Sequence, residues 1–242
     1  MLHFPGASPH YILPNMTTLS YLYRDNEIFA VEKPTGVHSV RAGSSGGSSI
    51  ADLLLAEDPS LAEVGTPGTD AGLVTRLDLS TSGILLGAYT QSMWEVLHEM
   101  ITRGEIDKRY VACVEGQFPQ HHSVTTYIGS PHRGARKMKI YEKKPSKAAR
   151  ALEGTSHFTL ISYDETTKSS LVEVAASPAR RHQIRIHAAY LGYPLVGDSL
   201  YGSTRSLSLH YGIGREFFLH AHRVSFCHPS TGQSVVIESL YS

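Results

Sequence analysis

Cysteine and long apolar runs are both scarce in this sequence, and each scarcity excludes a class of protein. Only two of the 242 residues are cysteines, and both lie in apolar, strand-like stretches, so a disulfide-stabilised fold is not indicated. No run approaches the roughly 18 apolar residues that a membrane helix needs, and the N-terminus lacks the basic and apolar regions of a signal peptide. We therefore expect a cytoplasmic protein that does not associate with a membrane.

An excess of either charge is also absent. Lysine plus arginine and aspartate plus glutamate number 22 each, which disfavours a protein whose whole surface binds a polyanion. One local segment is nevertheless basic, because residues 133–150 hold eight lysines or arginines and only one acid, Glu142. The segment is either a solvated loop or a surface that contacts phosphates, and in the second case Arg136, Lys137 and Lys139 are its candidate contacts.

The order of apolar runs and turn residues predicts the fold class. Residues 1–18 are rich in proline and aperiodic, so we expect an irregular arm followed by one folded domain over residues 19–242. Strand-like runs dominate and follow one another across short turns; residues 157–164 and 169–176, for example, should form a hairpin. These features predict an α+β fold with a mixed, largely antiparallel sheet and flanking helices.

Capping residues mark three helices in this pattern. The first two should begin after Ser49 and Thr90, the second ending at Gly104. A third is expected between Ser177, as the N-cap, and Gly192, with Pro178 at its first position.

The stretch from Val74 to Leu86 combines a carboxylate, a cation and a rigid apolar run. Asp78 lies two residues after Arg76 and directly before a turn rich in serine, threonine and glycine. An aspartate in this position often bonds turn amides. It can equally present an acid at the mouth of a pocket, and this stretch alone leaves both interpretations open.

Fourteen histidines raise the question of a metal site. His182 and His187, like His220 and His222, are close in sequence. Five-residue spacing on a helix separates two side chains by about 140°, which suits one ion poorly, and no carboxylates or paired cysteines accompany them. A metal-dependent hydrolase is therefore the weaker of the enzyme hypotheses, and we expect no metal.

Several motifs occur in order over nearly the whole chain from Leu22 onward. They are Lys33-Pro34-Thr35-Gly36, Arg76-Leu77-Asp78 with Thr81-Ser82-Gly83, Lys108-Arg109-Tyr110, Arg180-Arg181-His182-Gln183-Ile184-Arg185-Ile186-His187, Gly197-Asp198-Ser199-Leu200-Tyr201-Gly202, Leu219-His220-Ala221 and His228-Pro229-Ser230-Thr231-Gly232. Together they resemble the RluA-type family of RNA pseudouridine synthases. The resemblance implies the pseudouridine synthase catalytic fold and the isomerisation of uridine to pseudouridine in RNA, without a cofactor or a metal.

The same resemblance assigns roles to individual residues. Asp78 aligns with the essential aspartate, an ionised carboxylate that acts as nucleophile or base. Arg185 aligns with the arginine that forms an ion pair with it. Tyr110 aligns with the catalytic tyrosine of the uracil pocket, which is expected to stack on the flipped uracil and assist proton transfer. Arg76 is expected to enter the RNA stack where the uridine leaves, and Ile184 to line the pocket.

The resemblance is incomplete in ways that bear on the substrate. Thr75 stands where the family usually has histidine, and Ala179 where it usually has glycine. Many relatives carry an S4-type RNA-binding domain, and the residues before Leu22 are too few to hold one. We therefore expect a monomer that selects rRNA or tRNA through loops of its catalytic domain. A catalytically inactive RNA-binding protein of the same fold is the alternative.

Overall fold

The computed structural model describes residues 18–40, 49–132, 134–145, 151–205 and 216–241. They form two compact units. The central unit is Asp107–Leu219, and the terminal unit contains the described residues up to Ile106 and from His220 onward. Residues 1–17 of the expected arm lie outside the described ranges, as do Arg133 and residues 146–150 of the basic segment.

Ten strands and three α-helices make up the regular structure of the described residues. The strands are β1 Tyr21–Arg24, β2 Ile28–Lys33, β3 Ser82–Ala88, β4 Asp107–Glu115, β5 His121–Gly129, β6 Lys139–Tyr141, β7 Leu152–Asp164, β8 Ser169–Ala175, β9 Leu219–Cys227 and β10 Ser234–Glu238; the helices are α1 Ile50–Glu57, α2 Gln91–Arg103 and α3 Gln183–Tyr190, with a 3₁₀ turn at Pro59–Glu63. The predicted α+β class is confirmed. None of the helices in the described ranges has the length and apolar character needed to cross a membrane.

In the terminal unit, β2 and β3 are buried on both faces. Neighbours β1–β2, β2–β3 and β9–β10 are antiparallel, whereas β3 and β9 are parallel. Alternate residues of β2 enter different clusters, with Ile28 packed in one and Phe29 in the other. This double burial explains why both strands read as continuous apolar runs. Gly83 permits the parallel contact, because a Cβ there would lie 2.3 Å from the carbonyl oxygen of Ala221.

The first two helices begin where their capping residues predict. Ser49 and Asp52 form a capping box at the start of α1. Thr90 accepts a hydrogen bond from the backbone of Met93 at the start of α2, and Gly104 ends that helix with a φ of 76°.

In the central unit the strands pair in the order β4-β8-β7-β5-β6, and every pair is antiparallel. The predicted hairpin of β7 and β8 is confirmed. Helix α3 contributes Ile184, Ile186 and Ala188 to the buried part of this unit.

The predicted start of the third helix is wrong by several residues. The hydroxyl of Ser177 accepts the Lys108 amide at 3.1 Å, so it serves β4 and does not cap a helix. Helix α3 begins at Gln183, after His182 in the left-handed region with a φ of 57°. The Gln183 side chain accepts the Arg180 amide at 2.9 Å and donates to the carbonyl of Thr155 at 2.8 Å, and this tertiary contact with Thr155 holds the start of the helix. The predicted end is confirmed, since Gly192 follows with a φ of 86°.

Candidate active site

Asp78 lies in an irregular loop that ends in a tight turn before β3. The carbonyl of Asp78 accepts the amide of Thr81 at 3.0 Å, which closes the turn. Asp78 itself is half-buried, whereas Arg76 is exposed. The carboxyl group is therefore carried by a short loop that leads directly into a fully buried strand.

The backbone on both sides of Asp78 is held by side chains and amides from residues 35–39. The buried hydroxyl of Ser39 accepts from the Leu77 amide and donates to the Leu77 carbonyl, each at 3.0 Å. The amide of Gly36 donates to the carbonyl of Leu79 at 2.9 Å. Because an irregular loop cannot satisfy its own backbone, these partners fix the path of the chain and with it the direction of Asp78.

Lys33 is a second support for this loop; it lies in a quoted motif, but the sequence assigned it no role. Its fully buried ammonium group donates to the carbonyls of Pro34 at 2.9 Å, Val37 at 2.7 Å and Leu79 at 3.1 Å. Burial lowers the pKa of Lys33 to about 7, and the negative charges of Asp78 and Glu32 oppose that shift. A buried cation is thus electrostatically coupled to Asp78 within the same unit.

Thr75 bonds to β3. Its hydroxyl accepts the Leu86 amide at 2.8 Å, and its own amide donates to the Leu86 carbonyl at 3.2 Å. The side chain is buried. The hydroxyl therefore anchors the beginning of the Asp78 loop to the core strand.

A buried chain of polar groups runs behind the loop. Nδ1 of His220 lies 2.9 Å from the Ser82 hydroxyl, and its Nε2 lies 2.9 Å from the Ser239 hydroxyl. Ser239 in turn donates to Glu32 at 2.6 Å. Because that hydroxyl has one proton, Nε2 of His220 carries the ring hydrogen and Ser82 donates to Nδ1. His220 therefore links the first residue of β3, Ser82, to Ser239 near the C-terminus.

Arg185 is buried on α3 and has a carboxylate partner within the central unit. Its Nε donates to one oxygen of Asp198 at 2.6 Å and its Nη2 to the other at 2.9 Å. Its Cζ lies 4.3 Å from the ring centroid of Phe217 and 5.2 Å from that of Tyr201. The sequence did not indicate this role for Asp198, although the residue lies within a quoted motif. The expected pairing of Arg185 with Asp78 stays a prediction.

The other predicted residues of the central unit occupy two kinds of position. Tyr110 on β4 is buried, and so is Ile184 on α3. Arg136, Lys137 and Lys139 are exposed. Exposed cations suit phosphate contacts, and buried apolar or aromatic groups suit the wall of a pocket.

Tyr201 ties the basic segment to the start of α3. Its hydroxyl accepts the Met138 amide at 2.8 Å and bonds Nδ1 of His182 at 2.8 Å. The ammonium group of Lys137 lies 5.4 Å from the centroid of the same ring, over which Arg185 also packs. A single aromatic ring therefore contacts one exposed and one buried cation.

The histidines that suggested a metal have other partners. His187 is fully buried between the hydroxyls of Thr126 and Ser156, each 2.9 Å from a ring nitrogen, and burial lowers its pKa to about 4. His182 bonds Tyr201. Among the described residues, no group of three histidine, cysteine or acidic side chains has the arrangement of a metal site. These contacts give His182, His187 and His220 structural roles.

A family model and the most similar sequences identify the same protein family. The pattern of the RNA pseudouridylate synthase family matches residues 27–190. An uncharacterized RNA pseudouridine synthase of Mycobacterium bovis is 31% identical over 92% of this chain and 69% of its own length. Ribosomal large subunit pseudouridine synthase C of Haemophilus ducreyi is 31% identical over 89% of this chain, which spans 63% of that relative.

The fold agrees with these matches. Human RNA Pseudouridylate Synthase Domain Containing 1 superposes with a TM-score of 0.66 over 92% of this chain and 83% of the human chain, at 22% identity. That likeness concerns the fold alone, and it covers both units. From the sequence matches and the motifs around Asp78 and Arg185, this chain belongs to the RluA-type family of RNA pseudouridine synthases.

Proposed function

We propose that this protein isomerises uridine to pseudouridine in large-subunit ribosomal RNA, with Asp78 as the essential catalytic residue. The observation that carries the proposal is the Asp78 loop, in which a half-buried carboxylate is held by backbone contacts and coupled to the buried Lys33. Two relatives support the choice of RNA, since they are named ribosomal large subunit pseudouridine synthases C and D.

The reaction requires one bond to break and another to form at the same ribose carbon. The N1–C1′ bond of the uridine breaks, the uracil rotates, C5 bonds to C1′, and the proton on C5 leaves to solvent while N1 gains one. Asp78 assists as a nucleophile or as a base, and either role needs the carboxylate ionised. Lys33 places a positive charge within electrostatic reach of Asp78, and the proposed pairing with Arg185 would add a second.

The remaining residues of the proposed site recognise the RNA. Tyr110 packs against the uracil and Ile184 lines its pocket, since aromatic and aliphatic groups suit the faces of a flipped base. Arg76, which is exposed, occupies the space that the uridine leaves in the stack. Exposed Arg136, Lys137 and Lys139 contact phosphates along the strand.

Release of tritium from RNA that contains 5-tritiated uridine tests the activity. We expect release from a large-subunit rRNA transcript and none from a tRNA transcript. Binding of the rRNA without release would support the alternative of an inactive RNA-binding protein, and release from tRNA alone would contradict the proposed substrate. A monomeric state and a cytoplasmic location stay predictions.

A further inference from the structure

Lys108 is a buried cation that has no carboxylate partner in the described part of the chain. It lies on β4, where only 8% of its surface is exposed. Hydrogen bonds from its amide to Ser177 and from the Ala176 amide to its carbonyl hold its backbone. Burial of a lysine without an anion is costly, so such a residue needs an explanation.

Arg180 is a second cation whose partners among the described residues are neutral, and its charge acts on Lys108. Its Nε donates to the carbonyl of Glu153 at 3.1 Å, and its amide donates to the side chain of Gln183 at 2.9 Å. Burial lowers the pKa of Arg180, and burial together with the Arg180 charge lowers the pKa of Lys108 to about 8. The central unit therefore holds two partly desolvated cations that repel each other.

The next residue on the same strand shows the opposite arrangement. Arg109 donates to Asp107 at 2.9 Å and to Glu173 at 2.9 Å, and these bonds raise its pKa. Since side chains alternate along a strand, Arg109 and Lys108 point to opposite faces. On one face of β4, Arg109 is thus neutralised by two carboxylates. On the other face, Lys108 has no carboxylate partner among the described residues.

Tyr110 lies on the same face of β4 as Lys108. The two residues are two positions apart on the strand, a rise of about 7 Å, and both side chains are buried. If the uracil of a nucleotide packs on Tyr110, a phosphate of the same nucleotide or of its neighbour is within reach of Lys108. An arginine fork and a lysine point charge together suit phosphate oxygens.

We propose that Lys108 and Arg180 form a site for one backbone phosphate of the RNA substrate, next to the nucleotide that contacts Tyr110. This inference rests on the proposed function, because RNA is the polyanion that the family binds. The negative charge of the phosphate would neutralise both cations. Binding would therefore relieve the repulsion between Lys108 and Arg180 that exists in the free protein, and this relief adds to the affinity.

Lys108→Met tests the site, because methionine keeps the length and apolar stem of lysine and removes its charge. The experiment measures affinity for a large-subunit rRNA transcript over a range of salt concentrations, together with the melting temperature of the free protein. We expect affinity to fall about tenfold or more and the slope of log affinity against log salt to decrease by about 0.7 to 0.9. The melting temperature should stay the same or rise, because an unpaired buried charge has gone.

Lys168→Met is the matched control, since Lys168 is an exposed lysine of the same unit that already pairs with Glu165. It should leave the salt slope unchanged. A lower melting temperature with an unchanged slope in Lys108→Met would show a purely structural lysine and overturn the proposal. Arg180→Gln is an independent second variant, because Arg180 is only half-buried; an unchanged slope in this variant would also contradict the site.

The outcomes separate this site from the proposed function. If the salt slope of RNA affinity is lower in Lys108→Met than in wild type, but wild type releases no tritium, the activity is contradicted and the phosphate site is supported. Tritium release with no effect of either variant on the slope would support the activity and contradict the site. Titration with inorganic phosphate gives a further check. A rise in the melting temperature of wild type that is absent in Lys108→Met would show that the site recognises phosphate by itself.

Discussion

The Asp78 loop and the Arg185 helix belong to different units and are held in place by different chemistry. The loop is fixed through its backbone, by Ser39, Lys33 and Gly36, and the acid itself stays half-buried. Arg185 is fixed through its own side chain, which is buried between Asp198 and two aromatic rings. The difference follows from secondary structure, because a helix satisfies its own backbone and an irregular loop does not.

The two regions should respond differently to mutation. A change in the support of Arg185 removes a buried, charge-assisted contact, so its main cost should be in stability. A change in the support of Asp78 releases a backbone carbonyl or amide, so its cost in stability should be smaller and its cost in turnover larger. Measurements on the two regions can therefore be set against each other.

The largest effect on stability is expected from Asp198→Asn. This change keeps the shape of the side chain but removes the charge that Arg185 needs, and it should lower the free energy of unfolding by about 3–5 kcal/mol. Denaturation with urea measures it. Asp107→Asn is the control from the same unit, because its pair with Arg109 is partly exposed and should contribute about 1 kcal/mol or less. Equal losses in the two variants would contradict the importance of burial at Arg185.

Lys33→Met should have an intermediate effect on stability and a large effect on turnover. The carbonyls of Pro34 and Val37 lose their bond from Lys33, and the carbonyl of Leu79 keeps only the Gly36 amide, which together should cost about 1–3 kcal/mol. Asp78 also loses the cation coupled to it. A variant that folds and turns over RNA at the wild-type rate would contradict the role assigned to Lys33.

The pH dependence of stability sharpens the same prediction. The folded pKa of Lys33 is about 7 and the ordinary value is 10.5, so the unfolded chain binds more protons between these values. The free energy of unfolding of wild type should therefore rise as pH increases from about 7 to about 10. Lys33→Met should flatten most of this rise and leave a remainder from Lys108, whose pKa is about 8. An identical rise in wild type and variant would contradict the lowered pKa of Lys33.

The smallest effect on stability is expected at the basic segment. Arg136→Glu, Lys137→Glu and Lys139→Glu reverse exposed charges, so the free energy of unfolding should change by about 0.5 kcal/mol or less per site. RNA affinity should nevertheless fall, and its salt dependence should become flatter, because fewer counterions are released. Lys168→Glu is the control for charge reversal elsewhere in the unit. An unchanged salt slope in the triple variant would exclude this surface as a phosphate contact.

The elements that sequence predicted best are those whose signals are local. The caps at Ser49 and Thr90 and the apolar run of β3 all depend on residues within a few positions of one another. Each of them occurs in the structure as expected. The alternation and turn pattern between β7 and β8 belongs to the same class.

The features that sequence missed depend on partners far along the chain. Ser177 has the composition of an N-cap, but its hydroxyl accepts the amide of Lys108, 69 residues away. Lys33 bonds the carbonyl of Leu79, 46 residues away, and no local pattern predicts that contact. Asp198 lies in a quoted sequence motif, but its pairing with Arg185 could be recognised only from the folded structure. Motif resemblance thus located the candidate site, and tertiary contacts show how its parts are held.

Asp78→Asn is the most direct test of the account, with tritium release from 5-tritiated large-subunit rRNA measured in single turnover at saturating enzyme. Saturation removes differences in RNA affinity, and urea denaturation confirms that the variant folds. We expect turnover to fall by at least about 100-fold, while Asp58→Asn, a change of the same kind in the same unit, leaves it near the wild-type rate. Release by Asp78→Asn at a rate close to wild type would contradict the assignment of Asp78 as the catalytic residue.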